Sequence, residues 1–339
     1  MASRVTITDV ARAAGVSVAT VSKVINERYG VAPATIEKVT RVVEELGYES
    51  SLVASSLRRH RTNVIGILVA GFEPYSVELL KGVSAAAHDT QYELLAYSGP
   101  LTDVAPSGWE RRSLSRLAGT LIDGAIVVTP TETLPSTSIP VVAIDPHAGR
   151  GGPATVDSDN RKGARTATEY LIELGHRRIA HIQGRGDLES SRLRELGYRD
   201  ALKNAGIPFD EALLAKGEYR QSDAEDAART LLALPDPPTA IFAANDLSAL
   251  GVLHVAEELG LQVPRDLSVM GYDDIPDAAS SSPPLTTIAQ PLARMGAEAL
   301  QMLTKLLAGK DAARHRHLQA RLVVRGTTAA SPQPAAVRP

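Results

Sequence analysis

The chain has 339 residues, 44% hydrophobic and 22% charged, and no cysteine. That length exceeds one ordinary core and suggests about two domains with a smaller appendage. The missing thiols exclude disulfides, thiolate metal sites and cysteine nucleophiles. The net charge of −3 hides an asymmetry: residues 1–63 hold nine Lys/Arg against six Asp/Glu, a local +3 that leaves −6 for the rest. A basic head on an acidic body is compatible with a polyanionic partner, although a solvated helical face gives the same count. No signal-peptide pattern opens the chain and no apolar run nears the roughly 18 residues of a membrane span, so a soluble cytoplasmic protein is expected, with no membrane partner.

The first 47 residues read as three short helices. Thr8 can cap a helix over residues 9–14, with Asp9 in its favourable first turn and Gly15 ending it. Ser17 can cap a second, whose apolar positions Val21, Val24 and Ile25 fall at helical spacing. Pro33 opens a third, with Ile36, Val39, Val43 and Leu46 as its buried stripe and Gly47 as its stop. Two short helices joined at a glycine make a helix-turn-helix pattern, packed by Val10, Ala14, Val16, Val21, Val24 and Ile25. The residues are small because the helices must approach closely. The opposite face of the second helix shows Val18, Ala19, Ser22, Lys23 and Asn26, small at its start and polar beyond, which suits a helix lying in a major groove. The pattern alone also admits a plain three-helix cap.

Residues 49–61, ESSLVASSLRRHR, read as a linker. Beyond it, strand-like runs at 63–70, 92–98, 124–130, 140–146, 178–184, 239–246 and 267–274 alternate with amphipathic stretches at 76–88, 161–175, 189–206 and 246–260. Such alternation implies parallel sheets covered by helices. Roughly ten strands are too many for one compact sheet here, so two α/β lobes are expected, with the break near Ser158–Lys162. Residues 326–339, GTTAASPQPAAVRP, are low-complexity and expected to be disordered. They hold no leucine heptad, which favours dimers over tetramers.

The stretch TDVARAAGVSVATVSKVIN followed by GVAPATIEKVTRVVEELGY closely resembles the DNA-binding head of the LacI/GalR family of bacterial repressors. DGAIVV, ELGHRRIAHIQG, SRLRELGYRDAL, PTAIFAANDLSALGVLHVAEELGL, VPRDLSVMGYDDI and PPLTTIAQPLARMG resemble that family's core segments in order, so the likeness spans residues 5–326. It implies an α/β protein: an N-terminal all-α helix-turn-helix head and two doubly wound α/β lobes of periplasmic-binding-protein type. The implied divisions are a head at 1–47, a hinge helix and linker at 48–61, and an effector-binding and dimerisation core at 62–326. Within the core, one lobe takes about 62–160 and 291–320, the other about 161–290 and 321–326; residues 327–339 form a tail.

By that resemblance Val18, Ala19 and Lys23 occupy base-reading positions, while Thr20, Ser22 and Asn26 fix the helix against phosphates, with Thr8 and Ser17 at the helix starts in the same interface. Lys23 stands where the family more often has arginine and lacks its bidentate fork. Leu57 matches a leucine that wedges into the minor groove and kinks the duplex, followed by Arg58 as an electrostatic tether; the segment begins Ser50-Ser51 in place of the usual Pro-Asn. From the residues alone, the linker also reads as an inert tether.

The same resemblance puts Asp145, Arg194, Asn245 and Asp273 at a cleft for a small effector, with Phe72, Tyr75 and Tyr219 as aromatic faces. Carboxylates, an amide and a guanidinium can each engage two sugar hydroxyls at once. Each residue has a plainer reading: Asn245 as a helix cap, Asp273 as part of a turn pair with Asp274, Arg194 as a surface ion pair, Asp145 as a turn residue before Pro146, the aromatics as packing. Trp109 reads as packing, and His176 and His181 as locally hydrogen-bonded, so no metal and no cofactor is expected. The expected partners are a palindromic double-stranded operator, a sugar effector and a second copy of the chain. The alternative is a nucleotide-dependent sugar-modifying enzyme on a Rossmann-like fold. Its support, GRG at 184–186 after a strand, is an incomplete fingerprint, and that reading leaves residues 1–47 without a purpose.

Overall fold

A computed structural model describes residues 5–25, 29–48, 61–99, 108–134, 137–147 and 152–332. The chain divides into two compact units, Met1–Thr62 with Gly119–Leu121, and Asn63–Ala118 with Ile122–Pro339.

In the first unit, helices α1 (Ile7–Ala14), α2 (Val18–Ile25) and α3 (Pro33–Leu46) pack around Val10, Ala11, Ala14, Val21 and Val39. The cap of α1 is Thr6, not Thr8. Thr6 and Asp9 close a capping box, the Thr6 amide donating to Asp9 Oδ2 at 3.0 Å and the Asp9 amide to Thr6 Oγ1 at 3.4 Å. A carboxylate three residues after a threonine can reach back to the free amide, so Thr8 falls inside the helix, exposed. Gly15 ends α1 at φ 62°, a left-handed turn that glycine adopts without strain. Ser17 caps α2, its Oγ accepting from the Thr20 amide at 3.0 Å.

The expected stripe of α3 is shifted. Ile36 and Leu46 are 41% and 38% exposed, while Val39 is buried and Val42 and Val43 pack beside it. α1 and α2 have 8 residues each, about 12 Å, and are too short to cover the 14-residue, roughly 21 Å α3 end to end.

The second unit holds two six-stranded sheets. The first contains β1 (Val64–Val69), β2 (Glu93–Ser98), β3 (Gly124–Val128), β4 (Val141–Ile144), β5 (Ala154–Ser158) and β11 (His315–Leu318), in the order β11-β5-β4-β3-β1-β2, all parallel. The second contains β6 (Ile179–Gln183), β7 (Leu214–Lys216), β8 (Ala240–Ala243), β9 (Ser268–Asp273), β10 (Thr286–Ala289) and β12 (Arg321–Val323), in the order β12-β10-β9-β8-β6-β7, with β12 alone antiparallel to its neighbour. Three segments therefore pass between the lobes: after β5, after β10 and after β11.

Helix α4 (Pro74–Ala87) packs with α11 (Leu292–Leu307), and α11 also lies against β3, β4 and β5. α5 (Trp109–Leu117) carries the buried Trp109, whose indole lies against Gly99, as the packing reading expects. Sheet two is covered on both faces: α6 (Asn160–Glu173) with α7 (Glu189–Asn204), and α8 (Gln221–Leu232) with α9 (Asp246–Glu258). Strand β8 shows the alternation this requires. Ala240 and Phe242 join one core cluster and Ile241 and Ala243 the other. The short α10 (Pro276–Ser280) completes the unit.

Residues 326–332 are not a loose tail. Thr327 is fully buried, its Oγ1 donating to the Val269 carbonyl at 2.7 Å and accepting from the Thr286 amide at 2.8 Å. The Ser331 amide donates to Leu174 O at 2.8 Å. Small Thr and Ala side chains, uninformative as composition, suit a segment laid close against a sheet. Among the described residues no helix is long and apolar enough to cross a membrane.

Candidate functional site

On the head, Thr8, Ser17, Val18, Ala19 and Lys23 are exposed, and Thr20 and Ser22 are half-buried. Val18 is 41% exposed, unusual for a valine on a helix whose other valines are buried or half-buried. The outward side of α2 is thus small and apolar at its start and basic at Lys23. Asn26, Leu57 and Arg58 lie outside the described residues.

In the second unit a cavity of about 210 Å³ is lined entirely from segments that follow strand carboxyl ends. Glu73, Tyr75 and Ser76 come after β1, Thr129 after β3, Asp145 and His147 after β4, Arg185, Leu188 and Ser190 after β6, Glu218, Tyr219 and Arg220 after β7, Asn245 after β8, and Asp273 ends β9. This is where parallel α/β sheets place ligand-binding groups. Backbone strain collects there as well. Thr129, Asp145, Glu218, Tyr219 and Asp273 line the cavity with positive φ between 48° and 116°. Each such non-glycine residue costs on the order of 1–3 kcal/mol and persists only where its surroundings hold it.

Arg194, from α7, is the hub. It is 3% exposed, so it is no surface ion pair. Its Nε donates to Asn160 Oδ1 at 2.9 Å, its Nη1 donates to the Ala244 carbonyl, and its Nη2 lies 3.4 Å from Asp273 Oδ1. The guanidinium carbon stands 3.7 Å from the centre of the Tyr272 ring and 5.6 Å from that of Tyr219. Asn160 also donates to Asp145 Oδ1 at 3.3 Å, and Gln290 Nε2 donates to Asp273 Oδ1 at 2.8 Å while its Oε1 accepts from Ser158 Oγ. Ser158, Asn160 and Gln290 sit on two of the segments joining the lobes, so the cavity's charges are tied to the connections between the lobes.

Asn245 caps a helix and also lines the cavity. Its Oδ1 accepts from the Ser248 amide at 3.0 Å and caps α9, while Nδ2 donates to Tyr219 O at 3.2 Å. Tyr219 is hydrogen-bonded to Ser190 Oγ at 3.0 Å, and its ring lies over Gly184, where an added Cβ would fall 2.1 Å from it. That explains the first glycine of GRG by ring packing rather than phosphate binding. Phe72 is the misplaced residue: it is 54% exposed and outside the cavity, because Pro74 starts α4 and turns Glu73 and Tyr75 inward. His147, Ser190, Asn160 and Gln290 were missed. His147 follows a predicted strand closely enough to have been found, but Asn160 and Gln290 carry no local signal.

Among the described residues, Tyr75 Oη and both ring nitrogens of His147 are buried at this cavity without a protein partner. A buried polar atom left unpaired costs about 1–3 kcal/mol, so these groups call for a polar ligand. Burial pushes Asp145 above the usual carboxylate range, against the pull of His147, Arg194 and Asn160. Burial likewise pushes Asp273 up to about 6, against Arg194 and the Gln290 hydrogen bond. In Arg194 burial opposes the charge, but Tyr219, Asp273, Tyr272 and Asp145 together outweigh it and raise the pKa. Between about pH 4 and 6 the folded state therefore keeps a proton on Asp273 that the unfolded chain has released, and the ligand-free core loses stability as pH rises through that window. The thermal midpoint of the wild type, measured against Asp273→Asn, is expected to fall from pH 4 to pH 6 and level off above. A difference independent of pH would remove the claim.

A helix-turn-helix head and a polar cavity between two α/β lobes define a DNA-binding regulator with a small-molecule-binding core. Residues 6–51 match bacterial regulatory proteins of the lacI family, and residues 168–328 match a periplasmic binding protein-like domain. The chain is 37% identical to the ribose operon repressor of Escherichia coli over 309 residues, 88% of this chain and 92% of that protein. It is also 37% identical to the HTH-type transcriptional repressor PurR of Vibrio atlanticus over 315 residues, 90% of this chain and 93% of that one. Among solved structures, the lac repressor dimer bound to operator and the anti-inducer ONPF matches with a TM-score of 0.82 at 27% identity, covering 97% of this chain and all of that one. The transcriptional regulator CelR–cellobiose complex matches with a TM-score of 0.69 at 33% identity, covering 96% of this chain and all of that one. The chain belongs to the lacI family of bacterial regulatory proteins. It is a transcriptional repressor of that family and not an enzyme.

Proposed function

We propose that this repressor acts in the cytoplasm as a homodimer on a palindromic operator, and that a mono- or oligosaccharide controls its grip, serving a sugar-uptake or glycosidase operon. Val18, Ala19 and Lys23 meet base edges, the first two by apolar contact with thymine methyls. Thr8, Ser17, Thr20, Ser22 and Asn26 meet phosphates, and Leu57 and Arg58 act at the minor groove. Tyr75, Asp145, Arg194, Tyr219, Asn245 and Asp273 hold the effector, with His147 and Ser190 beside them.

The observation that carries the reading is the ring of buried polar groups around the cavity, three of whose atoms have no partner among the described residues. Groups that donate and accept in pairs suit vicinal hydroxyls. The volume of about 210 Å³ lies below the roughly 300–1,000 Å³ of pockets for drug-sized ligands and suits a small sugar in this lobe arrangement. One relative is named a ribose operon repressor and another the repressor PurR, and a solved neighbour is a cellobiose complex. A sugar favours the arrangement its groups fit, and coupling of about 1–3 kcal/mol changes operator affinity about 5–150-fold.

The test is a gel shift on the gene's own upstream region, with a panel of sugars and purine bases. A palindromic duplex should be retained, and one sugar should move its affinity within that range. Between 50 and 200 mM salt, affinity should fall about 10³–10⁵-fold if 6–10 phosphates are contacted. A response to a purine alone would replace the effector class. Indifference to every palindrome under every ligand would end the proposal.

A further inference from the structure

The His-Arg-His run at 315–317 takes no part in the head or the cavity. β11 is the edge strand of the first sheet and pairs with β5 in the register His315 to Thr155 and His317 to Asp157. Side chains alternate along a strand, so both histidines share one face with Thr155 and Asp157. Leu318 and Arg316 take the other face, where Leu318 joins the core that includes α11 and Arg316 lies 3.7 Å from Glu298 of that helix.

On the shared face, one ligand atom from each of Asp157, His315 and His317 lies within 4.8 Å of the others. Asp157 Oδ1 is 3.4 Å from His315 Nε2 and 2.6 Å from His317 Nδ1. Metal bonds of about 2.0–2.1 Å at tetrahedral angles separate ligand atoms by roughly 3.4 Å. One edge already has that spacing, and the other opens by roughly 0.8 Å, a small rotation for the exposed His317 ring. Metal-binding histidines also have their outer ring nitrogen steered by a hydroxyl, carbonyl or carboxylate. Here His315 Nδ1 is hydrogen-bonded to Thr155 Oγ1 at 2.7 Å, and His317 Nε2 lies 3.5 Å from Asp159 Oδ2. Asp159 in turn caps α6 at the crossing between lobes, its Oδ1 accepting from the Lys162 amide at 3.0 Å.

We propose that Asp157, His315 and His317 form a zinc-type divalent metal site, completed by water, that fastens edge strand β11 to β5 beside two of the three segments joining the lobes. Two imidazoles and a carboxylate suit zinc and its neighbours in the first transition row. The same three side chains could instead share a proton as a carboxylate–histidine cluster, and the experiment separates the two.

The full-length chain, free of any histidine tag and stripped with chelator, is titrated calorimetrically with Zn²⁺, and with Co²⁺ for its visible spectrum. One ion per chain should bind, and cobalt should give the intense bands of a tetrahedral site. His315→Gln and His317→Gln should each weaken binding at least tenfold, and Asp159→Asn about tenfold. His254→Gln, at an exposed histidine elsewhere, should bind like the wild type. Zinc at about a hundred times Kd should raise the wild-type thermal midpoint by about 5 °C and leave that of His317→Gln unmoved. Midpoints of the stripped variants within about 2 °C of the wild type separate lost metal from lost fold. No uptake, or uptake that ignores both histidine substitutions, would assign the cluster to a proton and overturn the site.

Discussion

Replacing Arg194 with alanine is expected to abolish the effector response and to cost about 3–5 kcal/mol of core stability. The guanidinium is 3% exposed and faces Asp273 and Asp145, two carboxylates whose pKa values burial already raises. Without it both carboxyls stay buried with no cation, the Asn160 and Ala244 oxygens lose their donors, and the Tyr272 ring loses the cation above it. Protonation of Asp273 limits the loss, so the destabilisation should be smaller at pH 5 than at pH 7.5. Arg194→Lys keeps the charge but not the fork, and should restore part of the stability and little of the response. Thermal unfolding at both pH values, with gel shifts in the presence and absence of effector, reads the outcome. A variant that unfolds and responds like the wild type would remove Arg194 from the site.

Gly82→Ala is expected to lower the thermal midpoint by about 2–12 °C, although it adds one methyl group. An added Cβ at Gly82 would lie 1.8 Å from the Ala293 carbonyl oxygen, and at Gly296, across the same pair of helices, 2.2 Å from that of Leu79. Both obstacles are backbone, so no side chain can swing away and α4 must leave α11. Overpacking of this kind costs about 1–3 kcal/mol and sometimes more, and each kcal/mol is worth about 2–4 °C in a domain of this order of size. The displacement reaches function because α4 carries Tyr75 and Ser76 into the cavity at its first turn. Effector affinity should therefore fall together with stability. Scanning calorimetry and effector titration of the variant check both, and an unchanged midpoint would show that the helices are not held at backbone contact.

Much of this was legible beforehand because it is local. Capping groups, turn glycines and a 3.6-residue apolar period act over a few residues and mark the three head helices; the start of the first is the exception, because Thr6 and Thr8 both precede Asp9 and only the threonine three residues before it closes the box. Seven predicted strands appear, and six of them are the continuous apolar runs of strands buried in parallel sheets, while β2 is an exposed edge strand. The unpredicted ones do not read that way. β7 and β12 have three residues each, and β11, HRHL, is an edge strand with three polar positions of four. Phe72 looked like a cleft residue because aromatics suit sugars, yet the start of α4 turned it outward.

By itself, then, the sequence determined the three head helices, seven of the twelve strands among the described residues and that the head and the core are different kinds of fold, while its family resemblance pointed to Asp145, Arg194, Asn245 and Asp273, which line one cavity. Only the tertiary structure decided how those four are joined through Asn160 and Gln290, why five non-glycine residues hold left-handed backbones around one cavity, and that His315 and His317 meet Asp157 across 158 positions of sequence or more. The physical reason is range. Propensity and periodicity are properties of neighbouring residues, whereas burial, desolvated charge and ligand geometry arise only when distant segments are brought to the same few ångströms.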